Sequence, residues 1–165
     1  MENFFVDNFL RTYHTKDPKE IIIDLDATDD RIHGNQEGSY FHGYYGHYCY
    51  LPLYIFCEGY LLQAKLRPCN IDASSGSKEE LARIIPKIRE KWPKVRIIIR
   101  GDGGFCREEI MAWCEQNNVD YIFGLSKNER LKTKLFKQMK KAKVKYYIPK
   151  LFKFGYIPQS IDLWV

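Results

Sequence analysis

The chain has no apolar run near the ~20 residues that cross a bilayer. Its first residues, Met1-Glu2-Asn3-Phe4, lack the charged-then-apolar layout of a secretory leader. Neither a membrane span nor export is expected. The five cysteines (Cys49, Cys57, Cys69, Cys106, Cys114) are odd in number and include no C-x-x-C pair, which argues for reduced thiols in the cytoplasm. There is no internal repeat, linker or low-complexity tract, so repeat arrays and disordered tethers drop out. Carboxylates are nearly absent from one end. Residues 126–165 hold 2 Asp/Glu against 11 Lys/Arg, whereas residues 1–125 hold 19 against 15. The net charge of +5 therefore divides into −4 and +9, and an end this basic suggests a polyanion, nucleic acid first. The candidate contacts are Lys127, Arg130, Lys132, Lys134, Lys137, Lys140 and Lys141; the alternative is a solvated helix face.

What is present fits one globular domain: 165 residues, 45% of them apolar, with Tyr and Phe throughout. The organising stretch is Ile21-Ile22-Ile23-Asp24-Leu25-Asp26-Ala27-Thr28-Asp29-Asp30. Its branched apolar start reads as a buried strand. Side chains alternate along a strand, so Ile22, Asp24, Asp26 and Thr28 share one face, and Ile21, Ile23, Leu25 and Ala27 the other. Two carboxylates on one face repel and lose hydration unless a cation or an open cleft receives them. The alternative is an ordinary strand end with Asp29 and Asp30 as turn formers.

Along the chain, Phe4 to Leu10 has helical spacing, and Arg31 to Gly46 reads as a long loop. His42 and His47 have a spacing used by zinc, but no cysteine pair faces them. Tyr48 to Cys57 reads as a strand, Glu58-Gly59 as a tight turn and Tyr60 to Leu66 as the hairpin partner. Ser77-x-x-Glu80 matches a capping box, and the helix after it places Leu81, Ile84, Ile85, Ile88 and Trp92 on one face, with a kink expected at Pro86. Val95 to Arg100 is a fourth strand leading into Gly101-Asp102-Gly103-Gly104-Phe105. A helix over Arg107 to Asn118, a strand over Tyr121 to Leu125, a second capping box at Ser126-x-x-Glu129 and a lysine-rich helix complete the order βββαβαβα. That order is the topology of an RNase H-like α/β core built on a mixed five-stranded sheet.

Several separated motifs together carry a resemblance. They are Leu25-Asp26-Ala27-Thr28-Asp29-Asp30, His33-Gly34-Asn35-Gln36-Glu37-Gly38, Phe41-His42-Gly43-Tyr44-Tyr45-Gly46, Leu66-Arg67-Pro68, Arg100-Gly101-Asp102-Gly103-Gly104-Phe105 and Gly124-Leu125-Ser126-Lys127-Asn128. Over roughly residues 18–140 the chain resembles the DDE transposases of bacterial insertion sequences, in the group with D-x-D-A-T-D and R-G-D-x-G-F motifs. The resemblance implies metal-dependent DNA cleavage and strand transfer at transposon ends, with three carboxylates holding two divalent ions, Mg²⁺ or Mn²⁺. It maps the first carboxylate to Asp26, with Asp24 as the adjacent alternative, and the second to Asp102. It also implies transposon-end and target DNA as partners, a homo-oligomer of the full-length protein, and a nucleoid-associated place in a bacterial cytoplasm.

Two departures stand out. Gly103 replaces the usual serine, and the third family carboxylate has no counterpart. The expectation is a truncated, catalytically incomplete transposase: residues 1–143 form a partial catalytic domain, and residues 144–165 a basic, aromatic tail without family motifs. Two rival readings accompany it. A haloacid dehalogenase-like phosphatase would use Asp24 as nucleophile and Asp26 as acid/base; a DNA-binding remnant would do no chemistry.

Overall fold

The computed structural model describes residues 3–13, 17–125 and 129–153. They belong to two compact units divided after Leu125. The first contains α1 (Phe4–Thr12), β1 (Glu20–Ala27), β2 (Asp30–Arg31), β3 (Tyr40–His42), β4 (His47–Tyr50), β5 (Leu53–Cys57), β6 (Tyr60–Lys65), α2 (Ser77–Lys91), β7 (Arg96–Gly101), α3 (Glu108–Gln116) and β8 (Asp120–Phe123). The second contains α4 (Glu129–Lys153).

The alternation read along β1 is what the sheet uses. Ile21, Ile23 and Leu25 are buried, while Asp24 is partly exposed and Asp26 exposed. β1 is the central strand of a five-stranded sheet, β6-β5-β1-β7-β8. It pairs antiparallel with β5 and parallel with β7, and β8 extends the parallel half. Three antiparallel strands followed by two parallel ones, each parallel strand reached through a helix, make the RNase H-like order. On the core face Ile21, Ile23, Ile97 and Ile99 pack with Val6 and Phe9 of α1, Leu81, Ile84, Ile85 and Ile88 of α2, and Ile110 of α3. Each such side chain contributes ~1.5–3 kcal/mol of burial.

The β5–β6 hairpin turns through Glu58 (φ 48°) and Gly59 (φ 86°), the two left-handed residues that a two-residue turn needs. The extended segment expected from Tyr48 to Cys57 is divided at Leu51-Pro52. Leu51 N–H still bonds the Arg67 carbonyl at 2.9 Å, so Pro52 turns its donorless nitrogen the other way, where β1 has ended its pairing at Ala27. Before the proline, β4 joins a second, three-stranded sheet, β2-β4-β3. This corrects the long-loop reading of residues 31–46. Strands of two and three residues are too short to show alternation, and their pairing comes from β4, distant in sequence from β2.

The first expected capping box does not stand as read. Gly76 (φ 78°) is the N-cap of α2, and Ser77 lies inside the first turn with its Oγ buried and without a protein partner among the described residues. Glu80 turns into the molecule instead. Burial alone would raise its pKa, but Lys65 and Gln63 at 2.9 Å and Arg83 at 3.0 Å hold it below the usual carboxylate range. Tertiary partners outcompete the local backbone. Ser126 of the second box lies outside the described residues. α2 continues through Pro86, whose missing N–H would have served Ala82; both residues are exposed, so water can satisfy that carbonyl. In α4, Lys132, Lys134, Lys137, Lys140 and Lys141 are all exposed and cover more than half the circumference. Lys127 and the Arg130 side chain lie outside what the structure describes.

Arg67 joins strand to loop. It is 5% exposed, and its guanidinium donates to Leu51 O at 2.9 Å, Ala73 O at 3.1 Å and Ser75 O at 2.5 Å. No carboxylate among the described residues lies at hydrogen-bond distance, so three backbone acceptors, with the more distant charge of Asp72, offset the cost of a buried cation. Arg67→Met should strand those carbonyls and lower unfolding free energy by ~3 kcal/mol. Urea denaturation measures this, and a loss under ~1 kcal/mol would show that water replaces the guanidinium without penalty.

Candidate active site

The two acidic strand ends converge because β1 and β7 are parallel neighbours. Their register sets Ile22 opposite Ile98 and Asp24 opposite Arg100. Asp26 and Asp102 each lie two residues further on, the same interval beyond one paired position. Strands ~4.8 Å apart thus carry both carboxylates to neighbouring places at their C-terminal ends. Both side chains are exposed. They leave the sheet on the face opposite the main core, since Asp26 follows the alternation of Ile22 and Asp24.

The three aspartates are not equivalent. Asp24 is gripped by Arg100, Nε to Oδ1 at 2.5 Å and Nη2 to Oδ2 at 2.9 Å, a fork that engages both oxygens. Asp26 accepts no hydrogen bond from any described residue. Asp102 Oδ1 accepts the Gly104 N–H at 2.8 Å, and Phe105, 1% exposed, anchors the turn in the core.

Glycine is required here by space. A Cβ on Gly104 would lie 2.9 Å from Asp102 Oδ1 and 3.2 Å from Ala73 Cβ. One on Gly124 would lie 3.0 Å from Gly103 N and 3.3 Å from Asp102 C, on the flank where Gly124 N–H bonds Gly101 O at 3.0 Å. The strand after α3 thus supports the Asp102 turn from below.

A residue that sequence reasoning missed supports it from the side. Asp72 accepts Arg107 Nη2 at 2.7 Å and the Ser74 N–H and Oγ at 2.9 and 2.6 Å. The Arg107 bond, aided by those from Ser74, holds the Asp72 carboxyl down at about 2. Arg107 also reaches towards the Gly103 and Cys106 carbonyls at 3.4 Å. Asp72-x-Ser74 is an Asx-turn signal, but nothing local reveals that its partner is 35 residues away.

On the other side the β3–β4 hairpin approaches. His47 Nε2 meets Asp29 Oδ2 at 2.7 Å, which takes His47 out of the zinc spacing it shares with His42. The Tyr45 phenol is raised above its usual range by burial, then by the charges of Asp29 and Asp102. Among the described residues no three His, Cys, Asp or Glu gather as a metal site. Glu109 is paired with Lys78, and Glu129 with Lys132 in the second unit. Asp26 and Asp102 are hard oxygen donors with little else to bind, suited to Mg²⁺ or Mn²⁺ but two in number.

Comparison with known proteins gives one family. The model of the Transposase DDE domain group 1 matches residues 1–156. No curated protein matches. Among solved structures, the catalytic domain of Mos1 mariner transposase is similar at 12% identity and a TM-score of 0.45, over 92% of this chain and 79% of that one. The Mos1 transposase paired-end complex with left transposon end gives 11% and 0.40, over 73% of this chain and 40% of that one, and the Mos1 paired-end complex with Mn gives the same values. The chain thus matches 40% of the length of the proteins in those complexes.

The Asp72–Arg107 tie should depend on acidity. With a folded pKa of about 2 against an ordinary 3.8, the tie stabilises the fold above about pH 4 and fades as pH falls through about 2. Asp72→Asn should therefore be less stable than wild type at pH 6, with the gap closing towards pH 2. The pair is nearly half exposed, so the gap should stay below ~1 kcal/mol. Urea titrations at stepped pH would refute this with a gap that is constant from pH 6 to pH 2.

Proposed function

As the chain belongs to the Transposase DDE domain group 1 family, we propose that Asp26 and Asp102 are the first two carboxylates of a divalent-metal site for cutting and joining DNA at insertion-sequence ends. The observation that carries this is the parallel β1–β7 register, which sends both aspartates off neighbouring strand ends on one face. Divalent ions held by Asp26 and Asp102 would supply activation of the attacking oxygen and stabilisation of the leaving one in an in-line phosphoryl displacement. The chain's own part is to present oxygens. Asp26 offers both of its own, and Asp102 keeps Oδ2 available while Gly104 fixes Oδ1. Arg100 neutralises Asp24, which favours Asp26 over Asp24 as the ligand. The same fork disfavours the phosphatase reading, which needs Asp24 as a free nucleophile. So does the return of the chain as an antiparallel strand instead of a helix.

We assign residues 1–143 to a partial catalytic domain and 144–165 to a basic tail. Mg²⁺ or Mn²⁺ is the metal, and transposon-end and target DNA are the partners. The full-length protein acts as a homo-oligomer at the bacterial nucleoid. No described helix is long and apolar enough to cross a membrane. The exposed lysines of α4, spread widely around the helix, favour contacts with phosphates over readout of bases. With no third carboxylate gathered at the site among the described residues, the reading is that this polypeptide binds DNA and metal but does not cut, which also fits a non-catalytic remnant.

Two measurements test the proposal. Mn²⁺ titration by calorimetry or electron paramagnetic resonance should show weak binding that falls about tenfold or more in Asp26→Asn and in Asp102→Asn, with Asp24→Asn affected less. Unchanged titrations in both variants would remove the metal assignment. Duplex DNA affinity should fall steeply with added salt. Changing Lys132, Lys134, Lys137, Lys140 and Lys141 to Gln should flatten the log–log slope by roughly 0.9 for each phosphate no longer neutralised. An unaltered slope would make α4 a solvated face.

A further inference from the structure

Two thiols face each other beside the candidate site. Tyr50 and Pro68 form an isolated antiparallel bridge; Cys49 precedes Tyr50 and Cys69 follows Pro68. The bridge sits next to the Leu51 N–H bond to Arg67 O at 2.9 Å, so the backbones are held together at this point. Cys49 and Cys69 belong to one small buried cluster, and Cys69 Sγ donates to the Tyr40 carbonyl at 3.0 Å. Both cysteines are free and buried, at 0% and 3% exposure. With Leu51 they form a small core of their own, separate from the main one, against which Ala27, Tyr45 and Ala73 pack. We infer that Cys49 and Cys69 are a redox-responsive dithiol that closes to a disulfide when hydrogen peroxide reaches it.

The step balances. Peroxide oxidises the Cys69 thiol to a sulfenic acid and leaves as one water. The Cys49 sulfur then attacks the sulfenic sulfur, the S–OH bond breaks, and the hydroxyl departs with the Cys49 proton as a second water. Cys69 is the entry point because Cys49 has no exposure, and burial pushes its thiol up to about 11. Closure draws the sulfurs to ~2.05 Å and takes Cys69 away from Tyr40 O. The change falls on packing shared with the candidate carboxylates: Ala27 directly follows Asp26, and Ala73 Cβ is 3.2 Å from the Cβ position of Gly104.

The test uses the full chain under native conditions, independently of any DNA or metal activity. After hydrogen peroxide, remaining thiols are alkylated in denaturant and the digest is read by mass spectrometry. The expected result is a linked peptide joining Cys49 to Cys69 in most chains, two hydrogens lighter and reversed by a phosphine reductant, while Cys57 and Cys114 are recovered alkylated. In Cys49→Ala, Cys69 should be trapped by dimedone as sulfenic acid. Half-exposed Cys106 reports that oxidant was effective. Oxidation of Cys106 with Cys49 and Cys69 both recovered as free thiols would overturn the inference, as would a Cys49–Cys69 link seen only after denaturation.

Discussion

The parallel pairing of β1 with β7 is the constraint on which the rest depends. Ile21, Ile23, Ile97 and Ile99 are buried on one face, and that burial fixes both the register and which side each residue takes. A slip of one residue would turn Asp24 and Asp26 into the core, where each would lose its hydration without a partner. The register is therefore strongly specified by apolar side chains that do no chemistry. The same register brings Asp24 to Arg100, so that the inner of the two β1 carboxylates is neutralised and the outer one left open.

Around this pair the structure is a set of supports that converge on the Asp102 turn. Phe105 holds it from the core, Gly124 comes close beneath, and Ala73 closes in at the side. Ala73 is placed by the buried Arg67, which also holds the end of the hairpin strand through Leu51 O. One guanidinium thus ties the junction of the two sheets to the loop beside the candidate site. Its placement explains why arginine and not lysine stands in the Leu66-Arg67-Pro68 motif: a planar fork can reach carbonyls in several directions from one buried position.

Charge is distributed along the same lines. Several carboxylates of residues 1–125 are matched by specific arginines and lysines, as in Arg96 with Glu20 and Asp120, Arg107 with Asp72, and Lys65 and Arg83 with Glu80. Asp26 and Asp102 lack a cationic partner at ion-pair distance among the described residues, and of the carboxylates so left they are the two that the β1–β7 register brings to neighbouring strand ends. The positive surplus lies in the second unit, on a helix whose lysines from Lys132 to Lys145 are exposed.

By itself the sequence determined the five main strands, the helices between them, and the face on which Asp24 and Asp26 stand, because period-2 and period-3.6 patterns over five or more residues report burial directly. It also carried the family, through glycines and aspartates at fixed positions in separate motifs. The Glu58-Gly59 turn was equally legible, since two left-handed residues leave few alternatives. Tertiary structure alone decided the rest. The small sheet of β2, β3 and β4 depends on pairing between short segments, Glu80 abandons its helix cap for Lys65 and Gln63, and Asp72 finds Arg107 across the loops. In each case a polar group chooses between a local partner and a distant one of similar strength. The winner is set by which atoms the packed core brings within ~3 Å, a distance that no spacing in the chain encodes.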